Sequence, residues 1–88
     1  MMATYDPEAD ALYIDIDKAL EFGRTIEIDD ARMVDVDRDG RVIGIEVISP
    51  SYGFSLSDII DRFELEELRL ELEEIEAREY KPIARRPQ

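Results

Sequence analysis

Residues 35–46 read DVDRDGRVIGIE: Asp35, Asp37 and Asp39 stand two apart, Gly40 follows, and Glu46 comes after five more residues. That spacing is the Asp-x-Asp-x-Asp-Gly-x5-Glu pattern of an EF-hand loop, whose carboxylates wrap one Ca²⁺ because the loop curls between two helices. The flanks here are not helical in pattern. Met33 to Asp37 and Arg41 to Ile48 alternate between apolar and polar residues, the period of a strand. On a hairpin Glu46 runs back beside Met33, about five to six residue rises from Asp39, or roughly 17–20 Å at about 3.3 Å each. The seventh loop position is Arg41, whose charge opposes a cation. The EF-hand-like set Asp35, Asp37, Asp39 and Glu46 is therefore read as a false positive, and no metal ligand is assigned. Asp39-Gly40 reads instead as a hairpin turn.

A wider set of carboxylates remains. ALYIDID places Asp15 and Asp17 opposite Leu12, Ile14 and Ile16. RTIEID places Glu27 and Asp29 opposite Ile26 and Ile28. With Asp35, Asp37 and Glu46 these side chains share one side of the expected sheet. Like charges on neighbouring strands repel. Arg24, Arg32, Arg38 and Arg41 offer relief. Three readings stand: an exposed polar face, a docking surface for a basic protein, or a metal-linked or catalytic cluster. Acid–base work by two carboxylates needs surroundings that separate their pKa values, which a solvated strand face does not supply.

Composition narrows the chemistry. The 88 residues hold no cysteine and no histidine, so thiolate nucleophiles, disulfides and histidine bases are excluded. No catalytic residue and no cofactor is assigned, and the chain is expected not to be an enzyme. The formal net charge of −12 disfavours nucleic acid and anionic membranes and favours a cationic partner. The N-terminus MMATYDPEAD has neither a basic region nor an apolar run, and no apolar stretch would span a bilayer, so a cytoplasmic protein is expected.

The elements that position these residues follow from periodicity. Strands are expected at 12–17, 25–29, 33–37 and 41–48, with a short leading strand from Met2 to Tyr5. Short connections suggest that sequence neighbours pair as an antiparallel meander. A two-residue Asp39-Gly40 tip sets Arg38 against Arg41, Val36 against Ile43 and Val34 against Ile45. Ser49 to Gly53 reads as a loop. Beyond it, SLSDIIDRFELEELRLELEEIEAREY lacks glycine and proline and reads as an acidic helix capped by Ser55 with Asp58, or by Ser57. Its apolar residues form two faces: Leu56, Ile59, Ile60, Phe63 and Leu70, and opposite them Leu65, Leu68, Leu72 and Ile75. One long helix and two helices with a break near Phe63 both fit. The second stripe needs cover from the sheet or from another copy, and a homodimer through this helix is the expectation. The fold class is α+β in one domain: sheet over 1–50, helix over 51–81, and a flexible tail over 82–88.

YDPEADALYIDI, RTIEIDD and VDVDRDGRVIGIEVI together resemble the small prokaryotic proteins grouped as domain of unknown function 2283, over roughly Met1 to Ser49. Members typically carry glycine in the turn after the second acidic strand, where this chain has Asp30-Ala31-Arg32. The resemblance implies no established activity. Some members look like antitoxin partners of small toxin-like proteins, which would suit an acidic inhibitor of a basic protein, although no helix-turn-helix or basic arm is present to bind an operator. It also marks Tyr5, Asp6, Asp10 and Tyr13, read as a structural knot. In that reading Asp6 and Asp10 accept backbone N–H groups in a tight turn, and Tyr5 and Tyr13 pack over it.

Overall fold

A computed structural model describes residues 1–84. The expected tail falls largely on 85–88, outside the described residues. Five strands form one antiparallel sheet: β1 (Met2–Asp6), β2 (Ala11–Asp15), β3 (Arg24–Glu27), β4 (Arg32–Val36) and β5 (Val42–Ile48). Two helices follow, α1 (Ser57–Arg62) and α2 (Arg69–Ala77), with 3-10 turns at Pro50–Tyr52 and Glu66–Leu68. The α+β class and the alternating pattern are as expected. Leu12, Ile14, Val34, Val36, Ile45 and Val47 are buried on one face of the sheet, packed with Leu56, Ile59, Ile60, Leu72 and Ile75 from the helices.

The strand order differs from a full meander. It is β1-β2-β5-β4-β3, so β5 lies between β2 and β4 and β2 does not pair with β3. The four strands β2 to β5 make a Greek key followed from its far end: three hairpin-connected strands, with the one before them laid beside β5. The cause is the length of the β2–β3 connection. Residues 16–23 cross the ends of the central strands instead of turning tightly. On the way Ile16 and Asp17 both donate to the carbonyl of Ile43, at 2.8 and 3.0 Å, and Gly23 donates to that of Val36 at 2.8 Å. A Cβ at Gly23 would come within 2.6 Å of the Asp37 carbonyl carbon, so only glycine lets the chain pass there.

The β4–β5 hairpin corrects a second expectation. Its loop has three residues, not two. Asp37 N–H donates to Arg41 O at 2.9 Å and Gly40 N–H to Asp37 O at 3.1 Å, with Gly40 at φ 85°. An odd loop would turn every later side chain to the wrong face. A β-bulge between Asp35 and Val36 restores the phase. Val36 pairs with Val42, Ile43 is the extra residue, and Asp35 pairs with Gly44 and Val34 with Ile45. The extra residue also frees the carbonyl that anchors the crossing segment.

The helical region breaks near Phe63. Ile59 and Ile60 face the sheet, and α1 then ends on a Schellman turn in which Leu65 N–H reaches Ile60 O at 2.9 Å and Glu64 sits at φ 56°. Turning the chain here lets both apolar faces reach the same sheet. Leu72 and Ile75 are buried, and Leu65 and Leu68 are half-buried against the core. The stripe Leu65, Leu68, Leu72 and Ile75 is thus covered within the chain. Leu70, grouped with the α1 face in the sequence reading, is instead 79% exposed, because the break shifts the helical phase. Neither expected serine cap holds: the N-cap is Leu56, whose N–H donates to Glu76 Oε1 at 2.6 Å.

One ion-pair cluster bolts the sheet to α1. Arg32, at the start of β4, is 14% exposed and donates to both oxygens of Asp58, to Asp29 Oδ2 and to the carbonyl of Ser55. Hydrogen bonding to Arg32 holds the carboxyls of Asp58 and Asp29 below their ordinary value. Here the Asp30-Ala31-Arg32 turn serves as the link to the helical layer. Among the described residues no helix is long and apolar enough to cross a membrane.

Candidate functional site

Both helices and the buried cluster lie on one side of the sheet, so the other side is open. Pairing across the strands defines two rows on it. One runs Met2, Asp15, Gly44, Asp35 and Thr25; the next runs Thr4, Tyr13, Glu46, Met33 and Glu27. Tyr13, Asp15, Met33, Asp35 and Glu46 are half-buried, and Glu27 is exposed.

Gly44 is the low point of this face. A Cβ there would meet Tyr13 Oη at 2.2 Å and Cζ at 2.4 Å, so the phenol ring lies flat across the glycine. Tyr13 Oη donates to Asp35 Oδ2 at 2.9 Å, and Thr25 Oγ1 donates to Asp35 Oδ1 at 2.6 Å. Burial, the bond to Asp35, and the charges of Asp35, Asp15 and Glu46 all push the Tyr13 phenol well above its ordinary 10.0. Tyr13 stays neutral and donates, and Asp35 is oriented by two hydroxyls and, among the described residues, forms no ion pair with an arginine or lysine.

The seven carboxylates expected on one face divide into two groups. Asp15, Glu27, Asp35 and Glu46 lie on the open face. Asp17, Asp29 and Asp37 leave it, because each belongs to a turn. Asp17 accepts the N–H of Ala19 at 3.0 Å, and Asp29 accepts those of Ala31 and Arg32. Asp37 is 4% exposed and accepts from the N–H groups of Asp39 and Arg41 and from Arg41 Nε, at 3.0, 2.8 and 2.7 Å. Those bonds outweigh its burial and lower its carboxyl below the ordinary 3.8.

The EF-hand spelling resolves as a strand hairpin. Glu46 pairs with Met33, as the alternation required, and Asp37 is bound to its own turn. Asp39 is exposed beside Arg41. Among the described residues no group of three or more carboxylates is placed to hold a metal ion.

The marked tyrosines and aspartates do not form one knot. Asp6 caps its turn as expected, accepting from the N–H groups of Glu8 and Ala9 at 3.0 and 3.3 Å. Asp10 reaches further. It accepts from Tyr5 Oη at 2.8 Å and from Ser51 Oγ, tying the β1–β2 turn to the loop after β5. Burial and the bond to Asp10 push the Tyr5 phenol up to about 12. Tyr5 belongs to the buried face and packs edge-on to Tyr80, centroids 5.1 Å apart. Tyr13 is on the opposite face, over Gly44, because residues 5 and 13 are not cross-strand partners: Tyr5 pairs with Leu12 and Thr4 with Tyr13. Sequence reading missed Gly44 as the seat of that tyrosine and Asp35 as its acceptor, since both follow only from the β2-β5-β4 order.

The fold and its open face define a small α+β protein with one dry side and one acidic side on a single five-stranded sheet. A family model described as "Protein of unknown function (DUF2283)" matches residues 3–51, and the chain belongs to that family. The match takes in all five strands except Met2 at the start of β1, and ends at Ser51, whose hydroxyl closes on Asp10. No curated protein and no solved structure matches the chain.

Proposed function

We propose that this protein is a non-catalytic binding module that holds a basic protein against the open face of its sheet, as an antitoxin-like inhibitor would. One observation carries the reading. Asp35, Glu46 and Glu27 stand together around half-buried Tyr13 and Met33, and among the described residues no lysine or arginine forms an ion pair with them. The sheet's turns and the helices place arginines beside several other acids: Asp29 and Asp58 meet Arg32, Asp37 meets Arg41, and Glu66 and Asp61 meet Arg69. A sheet face left both charged and partly apolar suits a cationic partner with some apolar surface. The absence of histidine and cysteine from the sequence supports binding over catalysis.

Hexa-arginine peptide at low salt tests this on the isotope-labelled full chain by NMR. Shifts should concentrate at Tyr13, Asp35 and Glu46, weaken at least tenfold in Asp35→Asn plus Glu46→Gln, and vanish near 1 M salt, where the screening length is about 3 Å. Helix α2 carries Glu71, Glu73, Glu74 and Glu76, so a merely polyanionic surface would show its largest shifts there. That result would refute the reading.

A further inference from the structure

A groove of about 800 Å³ runs along the end of the sheet where the open face meets the helical layer. Ile48, Tyr52 and Phe54 form its apolar part. Ile48 is 40% exposed and Tyr52 is 88% exposed, side by side in the lining of one groove. Tyr52 does not stand on a loose loop. Pro50 beneath it is buried, and Ser51 is hydrogen-bonded through both N–H and Oγ to Asp10. The ring is therefore displayed on a fixed base at little ordering cost to a ligand.

The rim is acidic. Asp29, Asp58 and Asp61 line the groove against one guanidinium, Arg32, which is already committed to Asp29 and Asp58. Asp58 and Asp61 each keep more than half of the side chain in solvent, and Asp61 also meets Arg69. Glu46 and Ile48 are two apart on β5 and so point to the same side of the sheet. The groove is thus continuous with the acidic face.

We propose that this groove is the anchor point for the basic partner. An aromatic or long aliphatic side chain packs against Ile48, Tyr52 and Phe54, and an arginine or lysine next to it in the partner's chain meets Asp58 and Asp61. The proposal rests on the reading of the protein as a module for a basic protein and names where that partner is gripped. Charge complementarity selects the occupant: an acidic or neutral segment would gain only the apolar half of the site.

The probe is the blocked dipeptide acetyl-Phe-Arg-amide, titrated into the labelled full chain. Saturable shifts are expected at Ile48, Tyr52 and Phe54. Acetyl-Phe-Glu-amide and acetyl-Ala-Arg-amide should each bind at least tenfold more weakly. Tyr52→Ser plus Ile48→Ser should lose acetyl-Phe-Arg-amide tenfold while hexa-arginine still shifts Asp35 and Glu46. Equal binding of the glutamate dipeptide, or shifts that never reach the groove, would overturn the anchor, and the wild-type dipeptide series decides this even if the double variant folds poorly. A silent groove with a responsive open face sinks the anchor alone; a responsive groove with a silent open face sinks the open-face docking and leaves the anchor standing.

Discussion

Replacing Gly44 by alanine puts one methyl group under the Tyr13 ring. At an ordinary contact of 3.4 Å the phenol, now 2.2 Å from the position of that methyl, must retreat by about 1 Å. A retreat of that size breaks the 2.9 Å bond to Asp35. A hydrogen bond to a charged group is worth about 1.5–3 kcal/mol. Alanine in a strand regains about 0.5–1 kcal/mol over glycine through the unfolded chain. The balance is a loss of about 1–2 kcal/mol. For a chain of this size that lowers Tm by roughly 4–16 °C. The decisive assay is a double-mutant cycle by thermal or urea unfolding. In a Tyr13→Ala background the ring is gone, so Gly44→Ala should be neutral or stabilising, giving a coupling of about 1–3 kcal/mol. An equal cost of Gly44→Ala in both backgrounds would refute the idea that this glycine exists to seat the tyrosine.

Three further outcomes follow from the packing. Asp58 and Asp29 have carboxyls held below the ordinary 3.8 by Arg32, so their contribution is full above that value and is lost as pH falls through their folded values. Tm should therefore drop below about pH 4. Arg32→Met should cost about 1–2 kcal/mol at pH 7 and flatten that acid limb; an unchanged limb would place the acid sensitivity elsewhere. Glu64→Gly should raise stability by about 0.5–1 kcal/mol, because a left-handed non-glycine residue closes α1, and an unchanged urea midpoint would argue against that strain. Leu72→Glu should unfold the chain, by circular dichroism, whereas Leu70→Glu should stay within about 0.5 kcal/mol of the parent.

Strand identity was legible because Leu12, Ile14, Val34, Ile45 and Val47 alternate with polar residues, and burial follows that alternation. Strand order was not, because it depends on the segment 16–23 reaching across to the carbonyl of Ile43, a contact that leaves no local periodicity. The hairpin shows how two departures cancel. A three-residue loop and a bulge at Ile43 leave Val34 opposite Ile45, the pairing that the simpler two-residue turn also requires, so pattern alone could not tell the two apart. The turn near Glu64 was legible only as an ambiguity, since the usual glycine is missing and its one sign in the sequence is two apolar faces on one apparent helix. Of the candidate acids, those inside strands held their side, whereas Asp17, Asp29 and Asp37 sit where strands end, and there local N–H groups compete for a short carboxylate side chain. Tyr13 was singled out for its place in a shared sequence pattern. Its true seat could not be found without knowing that β5 is its neighbour.

The family match ends at residue 51, yet the oily side of the sheet is covered by residues that come afterwards. A fragment cut at that boundary would keep every strand and the acidic face of the sheet but lose the helices that cover the other face. In this chain the end of the family match and the last buried residue of the core, Tyr80, fall some thirty residues apart.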